Sequence, residues 1–215
     1  MKYTKKLLYL LFLVSLLITS CGEKQTKQTI INCDNNINIY YPQGYDKSSH
    51  TPSFAIINEP SPLKKVSDSS SLKVTFSEFP DRQLVQVSFD PNVDLYGTGE
   101  VMGDLIRNGK TVKLWNTDNY GYGKDNGQRL YQSHPWVLGV GENGKSFGVI
   151  ADNTWKMEIS LGERITFSSE GPAFRVIVIE KDSPQEVMKE LGKLTGTIEL
   201  PPLWSLGFHQ CRYSY

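Results

Sequence analysis

Between residues 72 and 179 the chain repeats one pattern, and that pattern limits its fold more than anything else in it. Short runs of β-branched, aromatic and aliphatic residues alternate with turn residues. Leu72-Lys-Val-Thr-Phe76 and Leu84-Val-Gln-Val-Ser-Phe89 flank Pro80-Asp81, which predicts a hairpin. Further strands are expected at Trp136 to Val140, Ser146 to Ile150, Lys156 to Leu161, Arg164 to Ser168 and Phe174 to Ile179. Regular short strands with turns between them predict a mainly β fold, an antiparallel β-sandwich. The stretch from Asn32 to Ser71 carries Ser, Asn and Pro clusters and reads as two or three early strands whose positions the pattern does not fix.

One helix interrupts the strands. Ser183 is placed to cap it, Pro184 suits its first position, and Glu186 completes a Ser-x-x-Glu capping box. Val187, Leu191 and Leu194 share one face, and Gly196 ends the pattern. Glu199 to Pro202 reads as a linker. Leu203-Trp-Ser-Leu-Gly-Phe208 then reads as an apolar strand running almost to Tyr215. Such a strand needs neighbours on its edges and cover on its faces, so the sequence reads as cut.

The N-terminus is expected to be a targeting segment. Lys2, Lys5 and Lys6 precede an apolar run from Leu7 to Ile18 that is too short to span a bilayer, which marks residues 1–20 as a signal peptide. Leu17-Ile-Thr-Ser-Cys21-Gly22 resembles a bacterial lipoprotein box, with Cys21 as the acylated residue. That places the protein in the cell envelope, held to a membrane through the lipid. Residues 21–30 read as a polar tether with no apolar period. Cys33 and Cys211 then remain; they could pair in an oxidising compartment, but their spacing does not favour it.

Composition excludes several classes. Equal numbers of basic and acidic residues, 23 of each, provide no field to attract nucleic acid. The three histidines and three cysteines form no metal-ligand spacing, and no metal or organic cofactor is expected. Gly139-Val-Gly-Glu-Asn-Gly-Lys-Ser146 satisfies a phosphate-loop pattern, but Phe147-Gly-Val-Ile150 follows where a helix is required. Asn143-Gly144 between two apolar runs is a hairpin-turn signal instead.

Leu114-Trp-Asn-Thr-Asp-Asn-Tyr-Gly-Tyr122 combines an indole, two phenols and a carboxylate with amides. Sugar sites use such residues, because aromatic faces cover the C–H side of a ring while carboxylates and amides fix the hydroxyls. A polar surface loop with Asn116 or Asp118 in an Asx-turn fits too, and the residues alone favour it. Glu100, Asp104, Asp118 and Asp152 offer carboxylates, but no spacing singles out a pair for acid–base chemistry.

From Leu95 onward the sequence resembles the N-terminal domain of glycoside hydrolase family 31, the α-glucosidase and α-xylosidase family. The resemblance rests on Leu95-Tyr-Gly-Thr-Gly-Glu100, Leu114-Trp-Asn-Thr-Asp118, Tyr131-Gln-Ser-His-Pro135, Ser146-Phe-Gly-Val149 with Asp152-Asn153, and Leu194-Thr-Gly196. It is strongest in Pro201-Pro-Leu-Trp-Ser-Leu-Gly-Phe-His-Gln-Cys-Arg-Tyr213. It implies a galactose-mutarotase-like sandwich over residues 31–198, then the start of a (β/α)8 barrel over 199–215. It also implies retaining hydrolysis by two aspartates farther along the barrel, so no catalytic residue is expected in this chain. Two positions carry over from the family motifs: Asp118, with Tyr120 beside it, as a sugar contact from a sandwich loop, and Tyr215 as a residue lining the sugar pocket. The resemblance thus reverses the reading of the loop. A stand-alone carbohydrate-binding module on the cell surface, without catalysis, is the second reading; an exported scaffold domain without a ligand is the third.

Overall fold

The computed structural model describes residues 23–49, 56, 58–63 and 70–210. Twelve strands form two antiparallel sheets among these residues. In chain order they are β1 (Lys24–Thr26), β2 (Gln28–Cys33), β3 (Ile37–Pro42), β4 (Lys73–Phe79), β5 (Arg82–Ser88), β6 (Val93–Gly99), β7 (Thr111–Leu114), β8 (Ser133–Gly141), β9 (Ser146–Ala151), β10 (Met157–Leu161), β11 (Arg164–Ser169) and β12 (Val176–Lys181). The first sheet runs β1-β4-β5-β11-β10-β7 and the second β2-β3-β12-β9-β8-β6.

Side-chain alternation explains the layers. Val85, Val87, Ile159, Ile165 and Phe167 of the first sheet meet Leu95, Val137, Val149, Val176 and Val178 of the second in one buried core. The intervening residues of the second sheet, among them Ile39, Trp136, Ile150, Ile177 and Ile179, point the other way into a second core. Helix α1 (Pro184–Thr195) covers that outer face with Val187 and Leu194. The second sheet is therefore buried on both sides, and β9 and β12 read as nearly unbroken apolar runs. Burying each large aliphatic side chain is worth about 1.5–3 kcal/mol, so a covered second face adds substantially to stability.

The expected hairpins form. Pro80-Asp81 joins β4 to β5 with Phe79 opposite Arg82. Glu142 to Lys145 joins β8 to β9, with Gly144 at φ +82° and the Gly144 N–H on the Gly141 carbonyl at 2.9 Å, so the phosphate-loop pattern is a turn. Ser183 caps α1 by accepting the Glu186 N–H at 3.3 Å, and Gly196 leaves the helix at φ +77°.

Two expectations need correction. The segment 21–30, read as a free tether, is paired from Lys24: β1 lies on β4, and β2 begins at Gln28 against Pro42. Lys24-Gln-Thr26 is a polar strand at a sheet edge, where exposed residues need no apolar period. The strand expected from Leu203 does not form among the described residues. Leu203–Leu206 makes a 3₁₀ turn with Leu203 and Trp204 exposed. Among the described residues no strand pairs with this segment, and the backbone bonds locally, Ser205 N–H to the Pro202 carbonyl at 2.9 Å.

Candidate functional site

The loop between β7 and β8 departs from one end of the sandwich. Gly99 pairs with Ser133 at that end, whereas Val93 pairs with Gly141 at the other. Thr117 N–H donates to the Leu130 carbonyl at 2.9 Å and pinches the base of the loop. Asn119, only 1% exposed, organises its interior. Its amide nitrogen donates to the carbonyls of Lys124 (2.8 Å) and Arg129 (3.1 Å), and its amide oxygen accepts the Lys124 N–H at 2.9 Å. Gly121, Tyr122, Asp125, Asn126 and Gly127 all take positive φ, which explains the Asn, Asp and Gly content of this stretch. Arg129 pairs with Asp125, holding the Asp125 carboxyl below the usual carboxylate range.

This frame presents polar and aromatic groups to solvent. Asp118 is exposed, and its Oδ1 accepts the Tyr131 hydroxyl at 3.0 Å. Partial loss of hydration and then Asp118 itself raise the Tyr131 pKa, so the phenol stays protonated as the donor. Tyr120 stands in a 3₁₀ turn at 96% exposure, and Trp115, Tyr122 and Tyr131 are about half exposed. The Lys124 amine donates to the Asp118 carbonyl.

A second element reaches the loop from β6. Gly97, Thr98 and Gly99 take φ of +107°, +72° and +92°, and strand pairing jumps from Gly97 opposite Val137 to Gly99 opposite Ser133. A Cβ on Gly97 would lie 2.6 Å from the Trp136 carbonyl oxygen, so the bulge requires glycine there. The bulge delivers Glu100, whose Oε2 accepts the Tyr131 N–H at 3.1 Å. Glu100, Tyr131 and Asp118 thus form one connected set. Asp152 does not join it, being fully buried against Arg175, with its Oδ2 accepting the Arg175 Nε–H at 2.7 Å.

Sequence reading missed Asn119 and Tyr131 as parts of the site. Tyr131 heads a motif already singled out, Tyr131-Gln-Ser-His-Pro135, and that position was the available signal. Cys21, Tyr215 and Cys211 lie outside the described residues; Cys33 is buried in the second core, with its thiol on the Ile31 carbonyl at 3.8 Å. No group of three or more His, Cys, Asp or Glu among the described residues is arranged to hold a metal ion. A cleft of about 750 Å³ does exist, lined by Phe89, Asp90, Glu142, Lys145, Lys181 and Asp182, but it sits at the far end, by Val93 and Gly141. Concavity and the aromatic loop point to different ends, and the loop carries the more specific arrangement.

Residues 23–159, more than half of the chain, match the glycosyl hydrolase 31 N-terminal galactose mutarotase-like domain. The chain belongs to glycoside hydrolase family 31. It is 41% identical over 123 residues to α-glucosidase 2 of Bacillus thermoamyloliquefaciens, covering 56% of this chain and 16% of that enzyme. It is 32% identical over 126 residues to the α-xylosidase XylQ of Lactiplantibacillus pentosus, covering 57% and 16%. Among solved structures, a family 31 α-glucosidase from Bacteroides thetaiotaomicron matches at 52% identity and a TM-score of 0.55, covering 60% of this chain and 22% of that one. A family 31 dextranase of Flavobacterium johnsoniae, solved with glucose, shares the fold at 20% identity and a TM-score of 0.58 over 88% of this chain and 29% of that one. The family 31 sandwich seen here corresponds to about a sixth of the length of those two curated relatives.

Proposed function

We propose that this chain is the N-terminal sandwich of a retaining α-glycosidase acting on α-linked glucosides or xylosides, and that its β7–β8 loop supplies sugar contacts through Asp118 and Tyr120. Family membership and the α-glucosidase and α-xylosidase relatives support the reaction class. The observation that carries the role of the loop is its construction: a buried Asn119 fixes a frame on which an exposed carboxylate stands among half-exposed aromatic rings. A carboxylate oxygen accepts from a sugar hydroxyl and an aromatic face covers ring C–H groups, so this surface suits a pyranose. Tyr215 is assigned to the same pocket by its motif alone. The two carboxylates that retaining hydrolysis needs are assigned to neither this loop nor any other part of the chain.

The test is to read the coding sequence past the Tyr215 codon and assay the product on p-nitrophenyl α-glucoside and α-xyloside. Hydrolysis by the longer product and none by the 215-residue chain is the expected result. A longer product that cleaves neither glycoside would remove the reaction class. In the active protein Asp118→Ala should raise KM; unchanged kinetics would remove the sugar contact.

The same reading places the protein in the cell envelope, anchored through an acylated Cys21. Its support is the charge and apolar pattern of residues 1–20 and the Ile-Thr-Ser-Cys box. Palmitate should label the protein and Cys21→Ala should abolish the label; an equally labelled variant would sink the anchor.

A further inference from the structure

We infer that Tyr131 is a positioning residue for the sugar-contacting carboxylate, fixing the side chain of Asp118 through its hydroxyl while Glu100 fixes Tyr131. The inference rests on the proposed sugar contact of Asp118 and goes beyond it by naming what aims that contact.

Asn119 and Lys124 constrain only the backbone beside Asp118: Asn119 binds main-chain groups, and the Lys124 amine binds the Asp118 carbonyl. Neither sets the direction of the carboxylate. An exposed aspartate on a loop is otherwise free to turn about χ1 and χ2, and holding it in one rotamer before the ligand arrives lowers the entropic cost of binding. The Tyr131 hydroxyl, 3.0 Å from Asp118 Oδ1, supplies that hold and leaves Oδ2 for a sugar hydroxyl. Tyr131 is itself placed from two directions. It follows the buried Leu130 at the pinched base of the loop, and its N–H is bonded to Glu100, which emerges from the strained Gly97-Thr98-Gly99 bulge. Three consecutive positive-φ residues, one of them β-branched, are an outlier of the kind that persists where a side chain must be re-aimed. The path runs from the rigid sheet through Glu100 and Tyr131 to Asp118.

A rigid hydrogen-bond donor of this kind also selects chemistry. Asp118 is proposed as a binding contact and not as a catalytic group, so the loss of the tyrosine hydroxyl should weaken ground-state and transition-state binding equally. That signature is a raised KM with kcat preserved.

The experiment is a double-mutant cycle in the active longer protein, using p-nitrophenyl α-glucoside. Tyr131→Phe keeps the ring and removes the hydroxyl; KM should rise roughly three- to tenfold, in keeping with the loss of one exposed hydrogen bond to a charged group, and kcat should stay within about twofold. In an Asp118→Ala background the same change should have no further effect. An impaired Asp118→Ala beside an unaffected Tyr131→Phe would overturn the positioning role and leave the sugar contact standing. A Tyr131→Phe effect that persists undiminished without Asp118 would also overturn it, since the hydroxyl would then act on its own. An Asp118→Ala protein with unchanged kinetics would defeat the sugar contact and this inference together.

Discussion

Asn119 grips Lys124 from both sides, donating to its carbonyl at 2.8 Å and accepting its N–H at 2.9 Å. A third bond to the Arg129 carbonyl ties the two limbs of the loop through a single buried amide. Asn119→Ala would strip all three bonds from main-chain groups that are only partly shielded from water, at a cost of about 1 kcal/mol. Hydrogen exchange should show residues 117–131 losing protection while β9 and β12 keep theirs. Unchanged exchange in the loop would mean that its frame is held elsewhere.

Gly148 lets the helix layer seat on the second sheet. A Cβ there would lie 2.0 Å from Trp136 Cη2 and 2.8 Å from Val187 Cγ1. Gly148→Ala must therefore push the indole or lift α1, and overpacking of this kind costs about 1–3 kcal/mol. A lowered urea midpoint together with a changed near-ultraviolet signal from the tryptophans is the expected outcome. A wild-type midpoint would show that this layer yields easily.

Arg175 is buried with Asp152 and reaches out to the half-exposed Glu59, with bonds of 2.7 Å to Asp152 Oδ2 and 2.9 and 2.7 Å to the two Glu59 oxygens. Burial opposes its charge, but the bonds to Glu59, Asp152 and Tyr41 outweigh that and hold its pKa above the usual arginine value. Arg175→Met removes the guanidinium facing a fully buried carboxylate and should cost about 3–5 kcal/mol. Glu59→Ala should cost about 1 kcal/mol or less, because water takes over its role. Chemical denaturation of both variants separates the two; equal losses would mean that Glu59 matters as much as the buried partner.

Much of this was legible in the sequence where local chemistry and tertiary context agree. Pro80-Asp81 and Asn143-Gly144 announced their hairpins, and Ser183, Pro184 and Gly196 framed α1, because turn and cap residues act on their own backbone. Lys24–Thr26 was not legible, since an edge strand with solvent on its side chains carries no apolar signal. β6 was hidden for another reason: its buried Leu95 is followed by Tyr96-Gly-Thr-Gly99, where the glycines and the bulge break the apolar alternation. In the site, Asp118 came from a family motif, whereas Asn119 looked like any loop asparagine. Its burial depends on a fold of the loop that composition does not encode. Tyr131 was hidden by distance along the chain, since a partner thirteen positions away is a tertiary fact.

Tyr45 should make stability fall at high pH. Burial raises its phenol from the usual value near 10 to about 12; Arg175 pulls in the other direction, and Tyr41, Asp152 and Glu59 add to the rise. The folded state then keeps a proton that the unfolded chain gives up between about pH 10 and 12. The contribution is fully present below pH 10 and is lost as pH climbs through the folded value. For one proton the slope cannot exceed about 1.4 kcal/mol per pH unit, and partial exposure lowers it. Urea midpoints measured across that window should decline more steeply for the wild type than for Tyr45→Phe, which has nothing to ionise at that position and keeps the edge-on ring contact with Tyr41 at 5.0 Å. Parallel declines in the two proteins would assign the alkaline loss to other groups and leave Tyr45 ionising as it does in water.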